Sequence, residues 1–132
     1  MDTKYHYHKD GIVPPNRYVF VFGSNLKGRH GLGAALLASQ RFGAVEGEYA
    51  GLTGNSYAIA TKDRFIKPMS LESIGLHVRE FVRFTHERKD LLFFVTRVGC
   101  GLAGHDDKDM AVMFKGCYIN CSFAKQWEPY LH

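Results

Sequence analysis

Two glycine-rich segments contain most of the residues that could contact a phosphorylated ligand. The first runs from Gly23 to Ala35 and the second from Gly99 to Gly104, and each follows an apolar run. Glycine permits a positive φ and lets the backbone approach a ligand closely. A loop that joins a strand to a helix directs free N–H groups at the space above the sheet. Two such loops in one domain could hold the two ends of a diphosphate, so a nucleotide-type ligand is our leading interpretation.

The predicted ligand contacts come from these two segments and from the end of a third apolar run. They are Gly23, Ser24, Asn25, Gly28, Gly31, Leu32, Gly33, Thr61, Lys62, Gly99, Cys100, Gly101, Leu102, Ala103 and Gly104. The first segment lacks the Gly-Lys-Ser/Thr ending of a P-loop, and its spacing differs from the Gly-x-Gly-x-x-Gly dinucleotide motif. One loop alone would more often be a tightly packed connector, so the interpretation depends on two loops at the same sheet edge.

Four polar residues are candidates for catalysis beside such a ligand. Asn25 could hold a ribose hydroxyl or a water, although asparagine is also a common turn residue. His30 could act as a general acid or base near neutral pH. Lys62 could pair with an anion, or act as a nucleophile if its pKa is lowered. Asp106, or its neighbour Asp107, could supply a carboxylate beside the second loop, although acids at helix N-termini are common without a function. Cys100 we interpret as a small loop residue.

The predicted secondary structure places both glycine segments at the carboxyl ends of strands. Apolar runs predict strands at 18–22, 56–60, 91–98 and 118–123. Helices are predicted at 33–42, 71–87 and 106–116. Strands that alternate with helices predict an α/β fold with a largely parallel sheet. Ligands of such folds lie beyond the carboxyl ends of the strands.

Length and composition narrow the class of protein. A chain of 132 residues fits a single domain over 1–132, with 1–17 as an irregular N-terminal arm. Three cysteines without an apolar leader segment favour free thiols and a cytoplasmic location, and their spacing gives no reason to expect a metal. No apolar stretch is long enough for a bilayer, so no membrane partner is expected. A net charge of +4 suits an anionic ligand, while the lack of a long basic run makes nucleic acid the less favoured partner.

The combined pattern resembles macro domains, which bind ADP-ribose, and in particular the branch that contains the terminal ADP-ribose protein glycohydrolase. Four segments carry the resemblance. They are His-Gly-Leu-Gly-Ala-Ala (30–35) with Arg-Phe-Gly (41–43), Tyr-Ala-Ile-Ala-Thr-Lys-Asp-Arg (57–64) with Lys-Pro (67–68), Ser-Leu-Glu-Ser-Ile (70–74), and Arg-Val-Gly-Cys-Gly-Leu (97–102). Together they cover roughly residues 18–115, and their order and spacing are more specific than any one of them.

The resemblance implies a three-layer α/β/α macro-like fold with ADP-ribose as ligand and no cofactor. The loop around Gly31 and Gly33 would wrap the distal ribose and a phosphate, and the second loop would wrap the diphosphate. Asn25 falls near the asparagine that contacts the distal ribose, and Lys62 matches the nucleophilic lysine of the glycohydrolase. Ala103 stands where that enzyme has a catalytic aspartate.

These observations leave three functions open. The first is binding of ADP-ribose or a close derivative, with hydrolysis that removes an ADP-ribosyl, phosphate or acyl group at the distal ribose; an ADP-ribosylated protein would then be a partner. The second is a non-catalytic module that binds or sequesters a nucleotide. The third is a nucleic-acid-binding domain. Macro domains usually read adenine with a Gly-Asp pair after their first strand, and residues 1–17 contain no Gly-Asp pair.

Overall fold

A computed structural model describes residues 5–131. Its strands are β1 His6–His8, β2 Tyr18–Asn25, β3 Gly51–Thr53, β4 Ser56–Lys62, β5 Leu92–Val95 and β6 Cys121–Ala124. Its α-helices are α1 Gly33–Arg41, α2 Leu71–Glu87 and α3 Asp107–Ala111, and 3-10 turns follow at Val112–Phe114 and Lys125–Tyr130. The strands form one sheet in the order β1-β6-β5-β2-β4-β3. All pairings are parallel except the antiparallel pair of β3 and β4, which confirms the predicted α/β class.

The alternation of side chains along β2 explains why the sheet is covered on both faces. Val19 and Val21 face a large core under α2, α3 and the C-terminal 3-10 turn. Phe20 and Phe22 face the opposite side and pack with Ala38 of α1. Because successive side chains of a strand point to opposite faces, a continuous apolar run requires a layer on each side. The result is the predicted three-layer arrangement.

The helix α2 has the bounds that the sequence predicts. Ser70 caps its first turn, since the Ser70 hydroxyl accepts a hydrogen bond from the Ser73 N–H at 3.1 Å. Its buried residues Ile74, Val78 and Phe81 recur at helical spacing and form one apolar stripe. The predicted helix over 106–116 is shorter in the structure, because the chain tightens into a 3-10 turn after Ala111.

The N-terminal arm differs from the prediction, because residues 6–8 form a strand rather than irregular structure; residues 1–4 lie outside the described residues. His6 and His8 of β1 lie opposite Ser122 and Ala124 of β6. Tyr5 meets Phe123 edge to face at 5.0 Å between ring centroids, and the His8 ring stacks on Phe94 at 3.7 Å. The added strand extends the sheet beyond β6. It also carries the following residues to the same sheet edge as the glycine loops.

A register shift brings two of the predicted site residues side by side. Ser24 lies opposite Ala60, but Asn25 lies opposite Lys62, so β4 carries one extra residue at this point. The extra residue, Thr61, is buried, and its hydroxyl donates to the Ser24 carbonyl at 3.2 Å. Bulges of this kind re-aim side chains at the end of a strand. Here the shift sets Asn25 and Lys62 together at the carboxyl edge.

No helix in the described part of the chain is long and apolar enough to cross a membrane.

Candidate ligand-binding cleft at the carboxyl edge of the sheet

A cavity of about 580 Å³ lies over the carboxyl ends of the strands, where both glycine loops meet. The structure brings most of the predicted ligand contacts to its wall. They are Gly23, Ser24, Asn25, Gly31, Leu32, Gly33, Thr61, Lys62, Gly99, Cys100, Gly101, Leu102 and Ala103. The volume is in the range of small-molecule sites. Gly28, Gly104, His30 and Asp106 do not line it.

The N-terminus of α1 opens onto this cavity without a cap. Leu32 occupies the N-cap position and makes no side-chain cap hydrogen bond, and the first turn holds no acidic residue. The first N–H groups of a helix have no partner within the helix and carry a partial positive charge. Gly33, Ala34 and Ala35 supply these groups, and all three residues line the cavity. This end of the cleft is therefore suited to an anion.

The first loop is closed by the side chain of Asn25. Its amide nitrogen donates to the Arg29 carbonyl at 2.9 Å, and its amide oxygen accepts from the Arg29 N–H at 3.1 Å. Gly28 has φ +74°, and a Cβ there would lie 2.5 Å from the backbone of Gly47. Asn25 thus shapes the loop, and Gly28 is required for backbone packing rather than for access to the cavity.

His30 lies under the first loop in the core. It is 2% exposed, its ring meets Phe22 edge to face, and its Nε2–H donates to the Val45 carbonyl at 2.9 Å. The other ring nitrogen, Nδ1, is buried without a hydrogen-bond partner among residues 5–131. The His30 N–H donates to the Glu46 carboxylate at 2.6 Å. His30 therefore holds the first loop against the core and does not line the cavity.

The second loop presents free backbone donors to the cavity. Within the described chain, the N–H groups of Gly101, Leu102 and Ala103 donate to no other group, and all three residues line the cavity. Gly99 sets the path of the loop: its φ is +80°, and a Cβ there would lie 2.8 Å from the side chain of Met110. Two convergent backbone segments with free N–H groups are the arrangement that binds phosphate oxygens in other α/β proteins.

A partly buried ion pair anchors the second loop. The Arg97 guanidinium donates two hydrogen bonds to Asp107, at 2.8 and 2.6 Å, and the Trp127 indole N–H donates to the same carboxylate at 2.8 Å. The Arg97 hydrogen bonds hold the pKa of Asp107 below its usual value. Asp106, the predicted candidate, is exposed and lies at the N-cap of α3 away from the cavity. Of the two acids that the sequence offered beside the loop, Asp107 therefore contacts Arg97 of the loop and Asp106 does not line the cavity.

Cys100 belongs to this anchor. Burial, followed by a hydrogen bond to Asp107, raises the pKa of its thiol to about 12. A thiol of this kind stays protonated at neutral pH and is a poor nucleophile. All three cysteines are free, as predicted, although Cys100 alone lines the cavity.

The charged side chains of the cavity wall are mainly cationic. They are Asp10, Arg29, Lys62 and Arg97. Asp10 forms an ion pair with Arg97 at 3.3 Å, whereas Arg29 and Lys62 form no ion pair within the described residues. Two cations without acidic partners favour a ligand that carries negative charge.

Sequence reasoning missed the contribution of the N-terminal arm. Asp10, Gly11 and Ile12 follow β1 and line the cavity at the end opposite Lys62. Asp10-Gly11 is the reverse of the Gly-Asp order that is typical of macro domains. The sequence shows an acid next to a glycine at this position. It does not show that β1 pairs with β6, a strand over 110 residues away, which brings that acid to the cavity.

Solved structures with similar folds come from two bacteria. The macrodomain of DarG from Mycobacterium tuberculosis matches with a TM-score of 0.65 and 18% identity, over 91% of this chain and 96% of that one. Two Bacteroides thetaiotaomicron proteins, one described as of unknown function, match with TM-scores of 0.58 and 0.60 and identities of 19% and 20%. Each match covers 91% of this chain, and 96% and 98% of those chains. No protein-family model matches the chain, and no curated protein matches its sequence. The chain has the macro-domain fold, as the sequence resemblance implied.

Proposed function

We propose that this domain binds ADP-ribose or a close derivative in the cleft at the carboxyl edge. The observation that carries the proposal is the convergence of two free backbone segments on one cavity. The uncapped N-terminus of α1 lies on one side, and the N–H groups of Gly101, Leu102 and Ala103 lie on the other. Charge-assisted hydrogen bonds from backbone N–H groups suit a diphosphate between them.

The length of the cleft supports a ligand with a nucleoside-like group on each side of the diphosphate. Its wall runs from Asp10, after β1, to Lys62, at the end of β4. Strands β6, β5 and β2 lie between β1 and β4 in the sheet, so the cleft crosses the ends of several strands. The glycine loops follow β2 and β5, which lie between those ends. A mononucleotide would leave one end empty.

The orientation of the ligand follows from the resemblance to macro domains. Asn25 and Lys62 lie at the end assigned to the distal ribose. Asp10 and Ile12 then lie at the adenosine end, where the Asp10 carboxylate can accept from an exocyclic amine and the exposed Ile12 side chain offers an apolar surface. The aspartate would take the place of the Gly-Asp pair that the sequence lacks in the usual order.

The lining favours binding over hydrolysis. A hydrolase needs a general acid or base within reach of the reacting bond. Among residues 5–131, the cavity wall holds a single carboxylate, that of Asp10, which is paired with Arg97 and lies at the adenosine end. The thiol of Cys100 stays protonated, and Asn25 uses both amide atoms within its own loop. Lys62 therefore serves as a cationic contact to the ligand.

Calorimetry with ADP-ribose, AMP and ribose 5-phosphate tests the proposal. ADP-ribose should bind most tightly, because it alone reaches both ends of the cleft and both glycine loops. Absence of heat with millimolar ADP-ribose contradicts the proposal. Prolonged incubation with an ADP-ribosylated protein, followed by mass spectrometry, tests turnover separately; release of free ADP-ribose would establish a hydrolase.

A further inference from the structure

One residue of the cleft wall has a backbone conformation that its side chain disfavours. Ile66 has φ +60°, and every other positive-φ residue among residues 5–131 is a glycine. A β-branched side chain in the left-handed region is strained, because Cβ crowds the backbone. Strain of this kind persists only where the surrounding structure imposes it, and it is concentrated at ligand sites.

The side chain of Asp63 imposes this conformation. Its Oδ1 atom accepts from the Phe65 N–H at 2.8 Å and from the Lys67 N–H at 3.1 Å. The backbone of Asp63 adds two further bonds, accepting from the Ile66 N–H at 3.1 Å and donating to the Lys67 carbonyl at 2.8 Å. Four hydrogen bonds thus fix a turn over residues 63–67. The turn has no need of an isoleucine, since glycine or asparagine would adopt the same φ with less strain.

Ile66 lies at a position where its side chain can contact a ligand. The turn directly follows β4, whose last residue is Lys62, and Ile66 lines the cavity at that end. The neighbouring Phe65 is 79% exposed and does not line the cavity, whereas Ile66 is 39% exposed. The turn therefore presents one of its two large apolar side chains to the cleft.

We propose that Ile66 is a specificity-determining residue that closes the Lys62 end of the cleft and packs against the distal ribose of ADP-ribose. The inference rests on the proposed function, because that function places the distal ribose at this end. An apolar wall here gives contact area to a ligand with a ribose beyond the diphosphate. ADP ends at the diphosphate and does not reach Ile66. The side chain thus makes the site prefer ADP-ribose to ADP.

Calorimetry with ADP-ribose and with ADP on wild type and on Ile66→Gly tests this inference. Glycine adopts φ +60° freely, so the turn keeps its shape while the apolar contact is lost. We expect about tenfold weaker binding of ADP-ribose, the effect of losing part of one buried aliphatic side chain. Binding of ADP should change less than twofold. Phe65→Ala is the matched control from the same turn and should leave both affinities unchanged.

Two further variants keep the result interpretable. Ile66→Asn also suits the left-handed conformation and should lose the preference for ADP-ribose in the same way. Ile66→Val keeps the β-branched contact and should retain the preference. Thermal melting should show Ile66→Asn at least as stable as wild type, because the strain is relieved.

The outcomes separate the inference from the proposed function. Wild type that binds ADP-ribose, with Ile66→Gly equally tight or with ADP weakened to the same extent, overturns the role of Ile66 and leaves the function standing. Wild type that binds neither ligand overturns both. A selective loss for ADP-ribose in both the glycine and the asparagine variants supports the inference.

Discussion

Replacing Gly101 with valine tests the proposed phosphate-binding role of the second loop separately from its role in folding. The φ of Gly101 lies outside the left-handed region, and a Cβ built there meets no atom within 4 Å. A valine side chain can therefore enter without strain or displacement of a neighbour. Its Cγ atoms would extend from a residue that lines the cleft, beside the free N–H groups of Leu102 and Ala103.

The expected magnitudes follow from these contacts. Surface substitutions without a structural conflict change stability by less than about 0.5 kcal/mol, so Gly101→Val should melt close to wild type. A hydrogen bond to a charged acceptor contributes about 1.5–3 kcal/mol. Blocking one such bond to a ligand phosphate corresponds to a loss of about tenfold to 150-fold in affinity.

Gly99→Ala provides the contrast within the same loop. Gly99 has φ +80°, and its new Cβ would lie 2.8 Å from the Met110 side chain. The strain should cost roughly 1–3 kcal/mol of stability. Thermal melting and calorimetry with ADP-ribose on both variants should therefore show a folded Gly101→Val that binds about tenfold to 150-fold more weakly, and a destabilised Gly99→Ala. A folded Gly101→Val that binds ADP-ribose normally would refute the assignment of this loop to the phosphates.

Three further predictions address the titratable groups. Lys62→Ala should weaken ADP-ribose binding about tenfold, because a cationic contact to the ligand is lost. Borohydride should trap no lysyl adduct from wild type, and an adduct at Lys62 found by peptide mass spectrometry would contradict this. Iodoacetamide should alkylate Cys100 slowly at pH 7, because its thiol pKa is raised to about 12, and rapid modification of the folded protein would show the thiolate to be accessible. Burial lowers the pKa of His8 from 6.5 to about 4, so the neutral ring favours the folded state above pH 6.5 and this contribution is lost as the pH falls towards 4. Urea unfolding at several pH values should show that the free energy of unfolding depends less on pH in His8→Gln than in wild type. An equal pH dependence in both proteins would count against this prediction.

The elements that local pattern defines were predictable, and those that depend on distant pairing were not. The bounds of α2 follow from the Ser70 cap and one apolar stripe, both of which are visible in the sequence. The strand β1 contains two histidines in three residues, a composition that does not suggest burial. It forms because His8 stacks on Phe94 and its Nδ1 bonds the Ser122 hydroxyl at 2.8 Å. Those partners come from β5 and β6, far along the chain.

The glycines of the two loops show the same limit of prediction from sequence. The sequence predicts that glycines in two loops matter, but it does not tell which face a ligand and which face the protein. Gly28 is required by the backbone of Gly47, and Gly99 by its φ of +80°. Gly31 and Gly101 have open space where a Cβ would be, and both line the cleft. The same residue type thus serves packing at two positions and access at two others, and only the tertiary contacts distinguish them.

The positions and hydrogen bonds of the acidic residues support the proposal that this cleft is better suited to holding a ligand than to cleaving it. Position 103, next to the second loop's free N–H groups, is an alanine that is 7% exposed. The acid that holds this loop is Asp107, which already accepts hydrogen bonds from the Arg97 guanidinium and the Trp127 indole. Recruiting its carboxylate as a base would leave the Arg97 guanidinium, which is about one-third exposed, without its main partner and would release the loop that binds the phosphates. The Asp107 carboxylate that holds the second loop in place is therefore engaged in structural hydrogen bonds, which agrees with the proposal that the cleft binds its ligand without hydrolysis.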